Sequence, residues 1–197
     1  MGALFLAMCG SVVDGQLRGE RPLDPSTSVH DVAAGVHARS GTMLAGFAEM
    51  AAVAAHGGGP TRAAAHRFGQ ELAMARQLLN DLDELLSGRA SDLRNRTATM
   101  VGAFALQRAG GNGSIARTAL IDRLQAAADD DQLRASMIGG ELAAAVADTH
   151  LLARLHLSAA RAAADDLSRH SHDRADMDML LDQVGHALSH ISLGGSQ

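Results

Sequence analysis

The chain has no tryptophan, no tyrosine and no lysine, and only three prolines and one cysteine in 197 residues. Each shortage excludes something. Strands draw on aromatic and β-branched residues, so an alanine-rich chain this short of aromatics is predicted to be all-α. A lone cysteine, Cys9, excludes an internal disulfide framework, and its apolar neighbours mark it as a small core residue. All seventeen basic residues are arginine, so every side-chain cation of this type is a planar fork and none is a point charge. A formal charge of −5 supplies no basic patch for nucleic acid. No stretch reaches the roughly 18 uninterrupted apolar residues of a membrane span. Residues 3–13 are apolar, but they lack a charged leading segment and a small-residue cleavage site, so they do not read as a leader. The chain is expected to be one soluble, cytoplasmic domain with a sizeable core.

What is present divides into helical stretches and breakers. Residues 2–17 read as one helix closed by Asp14-Gly15-Gln16, and residues 18–28, with Pro22 and Pro25, as a loop. Ser28 is the expected N-cap of a helix to about Ala38, with Asp31 as its capping-box partner. Residues 42–56 are apolar on most sides, which predicts a buried or interfacial helix. Gly57-Gly58-Gly59-Pro60 breaks the chain before the next helix. Residues 88–97 form an arginine-rich loop. A helix over 98–109 ends at Gly110–Gly113, and Ser114 caps another to about Ala128. Residues 131–168 form a long helix kinked at Gly139-Gly140. A last helix covers 173–191, and 193–197 form a frayed tail. His186 and His190 share a helix face and His170-Ser171-His172 lies at a turn. No H-E-x-x-H pattern accompanies them, so a structural or solvent-facing role is expected.

The stretch from 66 to 99 carries two patterns at once. Phe68, Leu72, Ala75, Leu79, Leu82 and Leu86 step at the spacing of one apolar helix face. Gln77, Asn80, Asp81 and Glu84, at about 100° per residue, fall together on the opposite face. A solvated acidic surface would produce this pattern. So would a carboxylate platform for Mg²⁺, a hard ion that takes oxygen ligands and substrate phosphates.

The residues Phe68-Gly69, Leu72, Ala75, Gln77, Asn80-Asp81 and Glu84, followed by Asp92-Leu93-Arg94 and Thr99, resemble the second aspartate-rich motif of the trans-isoprenyl diphosphate synthases (polyprenyl synthetases). The order and most spacings agree. Asn80 and Glu84 stand where that family has aspartates, and Val101 where it has proline. Arg39-Ser40 is similar to the family's Lys-Thr or Lys-Ser, whose lysine contacts diphosphate; arginine also grips phosphate.

The resemblance implies an all-α helical bundle like the C-terminal half of that fold. Residues 1–197 would be a single partial domain lacking the half that carries the first aspartate-rich motif. It implies prenyl transfer from an allylic diphosphate to isopentenyl diphosphate with Mg²⁺ as cofactor. Asn80, Asp81 and Glu84 would be the metal ligands, and Arg39, Ser40, Gln77 and Arg94 the substrate contacts. With no D-D-x-x-D before residue 80, the chain is expected not to act alone, but as a homodimer or with a complementary synthase subunit. Two other readings remain open: a noncatalytic small subunit that regulates a partner synthase, and an unrelated helical interaction protein.

Overall fold

The computed structural model describes residues 2–19, 22–111, 114–169 and 174–191. Among these the regular elements are all helical: α1 (Gly2–Gly19), α2 (Val29–Val36), α3 (Thr42–Ala54), α4 (Gly59–Leu86), α5 (Ser91–Arg94), α6 (Met100–Arg108), α7 (Ile115–Ala126), α8 (Asp131–Gly139), α9 (Ala143–Ser168) and α10 (Ala175–His190). One isolated antiparallel bridge joins Pro22 to Thr97. The expected turn at His170–His172, the residues Asn112-Gly113 and the expected tail lie outside the described residues. The chain divides into two compact units. The first comprises Met1–Gly19, Gly35–Gln77 and Leu152–His190, and the second Glu20–Ala34, Leu78–Leu151 and Ile191–Gln197.

In the first unit, small residues bring helix backbones together. A Cβ on Gly15 would sit 2.7 Å from the backbone of Ala38, and one on Gly69 would sit 2.4 Å from the carbonyl oxygen of Leu44. Neither obstacle can move aside as a flexible side chain would. Gly15 is therefore a packing residue of α1, which continues past the expected stop to Gly19. The expected helix end near Ala38 is also replaced. A π-helical turn, His37–Gly41, joins α2 to α3 without a break, and the Thr42 hydroxyl donates to the His37 carbonyl at 3.2 Å. Such turns insert one extra residue into a helix and re-aim its side chains.

The second unit has a continuous apolar core that includes Leu82, Leu106, Leu124, Met137, Leu142 and Val146. Its helices start where side chains satisfy free backbone amides. Ser28 accepts from Asp31 N at 3.1 Å and donates to the Asp31 carboxylate at 2.6 Å. Thr99, Ser114 and Asp130 accept from Gly102, Arg117 and Leu133 amides. Buried Arg117 donates to the carbonyls of Pro25 and Gly110, both at 2.9 Å. At Gly139-Gly140 the chain ends α8 and restarts as α9 at Ala143, a full break instead of a kink. The Leu142 amide closes the gap on the Met137 carbonyl at 2.8 Å.

Candidate functional site

Helix α4 carries the motif, and its burial is broader than one stripe. Phe68, Leu72, Ala75 and Leu82 are buried as expected, and so are Ala65, Gly69, Ala73, Met74, Leu78 and Leu85. Leu78 and Leu85 project at angles close to Asp81 around the helix. Asp81 therefore lies on the margin of the packed side, only 6% exposed, and not on an open polar face. Asn80 is exposed, and Gln77 and Glu84 are half-buried.

Within the first unit the structure joins two of the residues singled out from sequence. Ser40, in the π turn, donates its hydroxyl to Gln77 Oε1 at 3.3 Å. Arg39 beside it is half-buried. Its Nε donates to the Gly35 carbonyl at 3.3 Å, and its two terminal nitrogens hold no bond to the described residues.

Within the second unit the carboxylates of α4 act on the chain that follows. Asp81 Oδ2 accepts from the amide of Met100, the first residue of α6, at 3.1 Å. Glu84 Oε2 accepts from the Ser91 amide at 3.2 Å and from its hydroxyl at 2.5 Å. Glu84 Oε1 meets Arg89 Nε at 3.1 Å. The Ser91 hydroxyl is the largest cause holding the Glu84 carboxyl below its ordinary range; partial burial opposes it, and the Ser91 amide and Arg89 reinforce it. These bonds fasten a loop in which Ala90 and Arg96 both take left-handed backbone angles, φ 49° and 54°. That is a costly conformation for residues with a Cβ. Arg94 is also engaged here: it donates to the Ala128 carbonyl at 3.2 Å, to Asp129 at 3.4 Å, and to the Arg89 carbonyl.

As arranged, these residues present no open Mg²⁺ site. The ion needs open oxygen ligands in near-octahedral geometry. Both Glu84 oxygens accept hydrogen bonds from within the chain, Asp81 is buried with one oxygen on a backbone amide, and Asn80 brings no charge. Among the described residues no group of three or more His, Cys, Asp or Glu side chains is placed to hold a metal. The capping partners Ser91 and Met100 were not singled out from sequence. A serine opening the turn after an acidic helix end was the available sign; nothing marked Met100, because the atom used is its backbone amide.

No protein-family model matches the sequence, and no curated protein matches it. Solved structures do. A polyprenyl synthase from Roseobacter denitrificans superposes with a TM-score of 0.76 at 21% identity, over 95% of this chain and 62% of that one. A geranylgeranyl pyrophosphate synthase from Corynebacterium glutamicum, complexed with calcium and isoprenyl diphosphate, gives 0.73 at 19% identity, over 96% and 59%. A Caulobacter crescentus polyprenyl synthase, also complexed with calcium and isoprenyl diphosphate, gives 0.73 at 20% identity, over 96% and 58%. The chain therefore has the all-α fold of the polyprenyl and prenyl diphosphate synthases along nearly its whole length, and spans less than two thirds of theirs.

Proposed function

We propose that this chain is an isoprenyl diphosphate synthase-like protein that engages an allylic diphosphate but does not carry out prenyl transfer alone. The shared fold supports the class. The observation that carries the second part is the engagement of Asp81 and Glu84 at helix starts, which keeps this carboxylate pair from standing open for metal-assisted departure of diphosphate. Arg39 is the proposed diphosphate contact, because its terminal nitrogens hold no bond to the described residues and arginine presents a fork to phosphate oxygens. Ser40 and Gln77 hold the turn that presents it.

A partner supplies the rest of the reaction in this reading, either a second copy or a complementary synthase subunit. Phe5, Leu6 and Val13 on α1 and Met43 and Phe47 on α3 are exposed in the first unit. Apolar side chains gathered in this way mark an interaction surface.

The test is calorimetric titration of the purified chain with an allylic diphosphate, with and without Mg²⁺, beside an assay of prenyl transfer. The expected result is binding that does not depend on Mg²⁺, weakened about tenfold or more by Arg39→Ala as a charged hydrogen bond is lost, and no turnover. Turnover by the chain alone would overturn the second part. Absence of diphosphate binding under both conditions would overturn the first.

A further inference from the structure

His186 and His190 stand one turn apart at the end of α10, both exposed, with their Nε2 atoms 3.0 Å apart. The ring centroids are separated by 4.2 Å, with the planes at 79°. Neither ring has another hydrogen-bond partner among the described residues, and neither packs in the core. The proposed diphosphate chemistry does not use them. Two neutral imidazoles at this separation share one proton, with one Nε2–H pointing at the lone pair of the other. A metal ion can take both lone pairs if that proton moves to Nδ1 of the same ring, which stays neutral.

We propose that His186 and His190 form a two-imidazole site for a divalent late transition-metal ion. Imidazole is a preferred ligand for such ions. With metal–nitrogen bonds of roughly 2.0–2.1 Å, nitrogens at this spacing subtend about 95° at the ion. That suits neighbouring positions of a square or octahedral ion such as Ni²⁺ or Cu²⁺ better than the wider tetrahedral angle of zinc. His190 is the last residue of α10, where the negative end of the helix dipole favours a cation. Asp182, exposed one turn before His186 on the same face, adds negative charge. No third ligand of the His, Cys, Asp or Glu type joins the pair among the described residues. With these two ligands the remaining positions fall to water, and the ion is exchangeable. Bound, it ties the last turn of α10 to the one before it and suppresses fraying.

The experiment is titration of the full chain with Ni²⁺ alone, followed by calorimetry and by hydrogen exchange of the α10 amides. Ten histidines occur in the sequence, so the informative variant keeps their number. Gln183→His combined with His186→Gln moves one imidazole two turns away from His190 and preserves the composition. It should bind Ni²⁺ about tenfold more weakly or worse, as should His186→Ala, and Ni²⁺ should no longer protect α10. Equal affinity in parent and rearranged chain would overturn the proposal, as would a parent chain that does not bind Ni²⁺.

Discussion

All four buried polar side chains among the described residues, Asp81, Arg117, Arg134 and Thr149, lie in the second unit. Of the ten large apolar side chains exposed among the described residues, eight lie in the first: Phe5, Leu6, Val13, Met43, Phe47, Leu155, Met179 and Leu180. The second unit spends its polar groups on its own backbone: Arg134 donates to the Ala127 carbonyl at 3.1 Å, and Thr149 to Ala145 at 2.8 Å. The first unit depends on close backbone approach, and it also holds open grooves. One groove of about 780 Å³ is lined by Glu49, Arg62, His66, Arg67, Asp166 and Arg169 among others. A second, of about 330 Å³, is half alanine, with Phe68, Leu167 and Met177. The difference separates two tasks. A segment whose polar groups are satisfied internally can hold its shape, whereas one that leaves apolar faces in water offers the surface that the proposed partner would cover.

The largest effect expected from this contrast is at Gly69. Gly69→Val forces α3 and α4 apart, because the obstacle is the Leu44 backbone at 2.4 Å, and should cost about 3 kcal/mol or more in urea unfolding. Gly102→Ala in the second unit meets side chains alone, the methyl groups of Leu23 at 3.2 Å and the Thr99 hydroxyl at 3.4 Å. A side chain can yield there, and the loss should stay under about 1 kcal/mol. Equal losses at the two positions would mean that backbone proximity is not what distinguishes the first unit.

Asp81→Ala comes next. It leaves the Met100 amide unpaired at a buried position and should cost about 2 kcal/mol, measured in the same way. Asp81→Asn retains an acceptor and should cost clearly less. If Asp81→Ala is neutral, the carboxylate is not an anchor of α6 and its availability to a metal has to be reconsidered.

The legibility of the chain follows the range of the forces involved. Ser28, Ser114 and the helical character of most stretches were readable, because caps and periodicity act over three or four residues. The acidic pattern of α4 was readable as a pattern, but its use was not. Whether Asp81 faces water or Met100 depends on how much of the helix circumference is packed, and Leu78 and Leu85 decide that through partners distant in sequence. The π turn at His37–Gly41 left no local sign either. It keeps the helical path where a break was expected at Arg39-Ser40-Gly41, and the close approach of Ala38 to Gly15, more than twenty positions away, lies in that same turn.

Acid should affect both units through one carboxylate each. Glu84 in the second unit and Glu49 in the first are both held below the ordinary value of 4.5, Glu84 chiefly by the Ser91 hydroxyl and Glu49 chiefly by Arg62. A lowered folded-state value contributes stability that is present above about pH 4.5 and is lost as pH falls through the folded value. Glu84→Gln and Glu49→Gln should each flatten the fall in stability below pH 4.5, seen as a smaller shift of the thermal midpoint on acidification. An unchanged slope in Glu84→Gln would show that its bonds to Ser91 do not persist in solution.

The smallest effect on stability should come from the residues that matter most for association. Phe47 is 47% exposed and Leu6 70%, so replacing both by glutamine removes little buried area and should change unfolding by no more than about 0.5 kcal/mol. If α1 and α3 present a covered surface, light scattering should show the parent chain self-associating, or binding a complementary subunit, and the variant failing to do so. Stability and association would then separate cleanly, since the first unit is packed through close glycine approaches and buried side chains such as Phe68, Leu72 and Leu157, and the exposed Leu6 and Phe47 stand outside that packing. A variant that unfolds would place Leu6 and Phe47 in the fold itself, and one that associates like the parent would move the partner surface elsewhere.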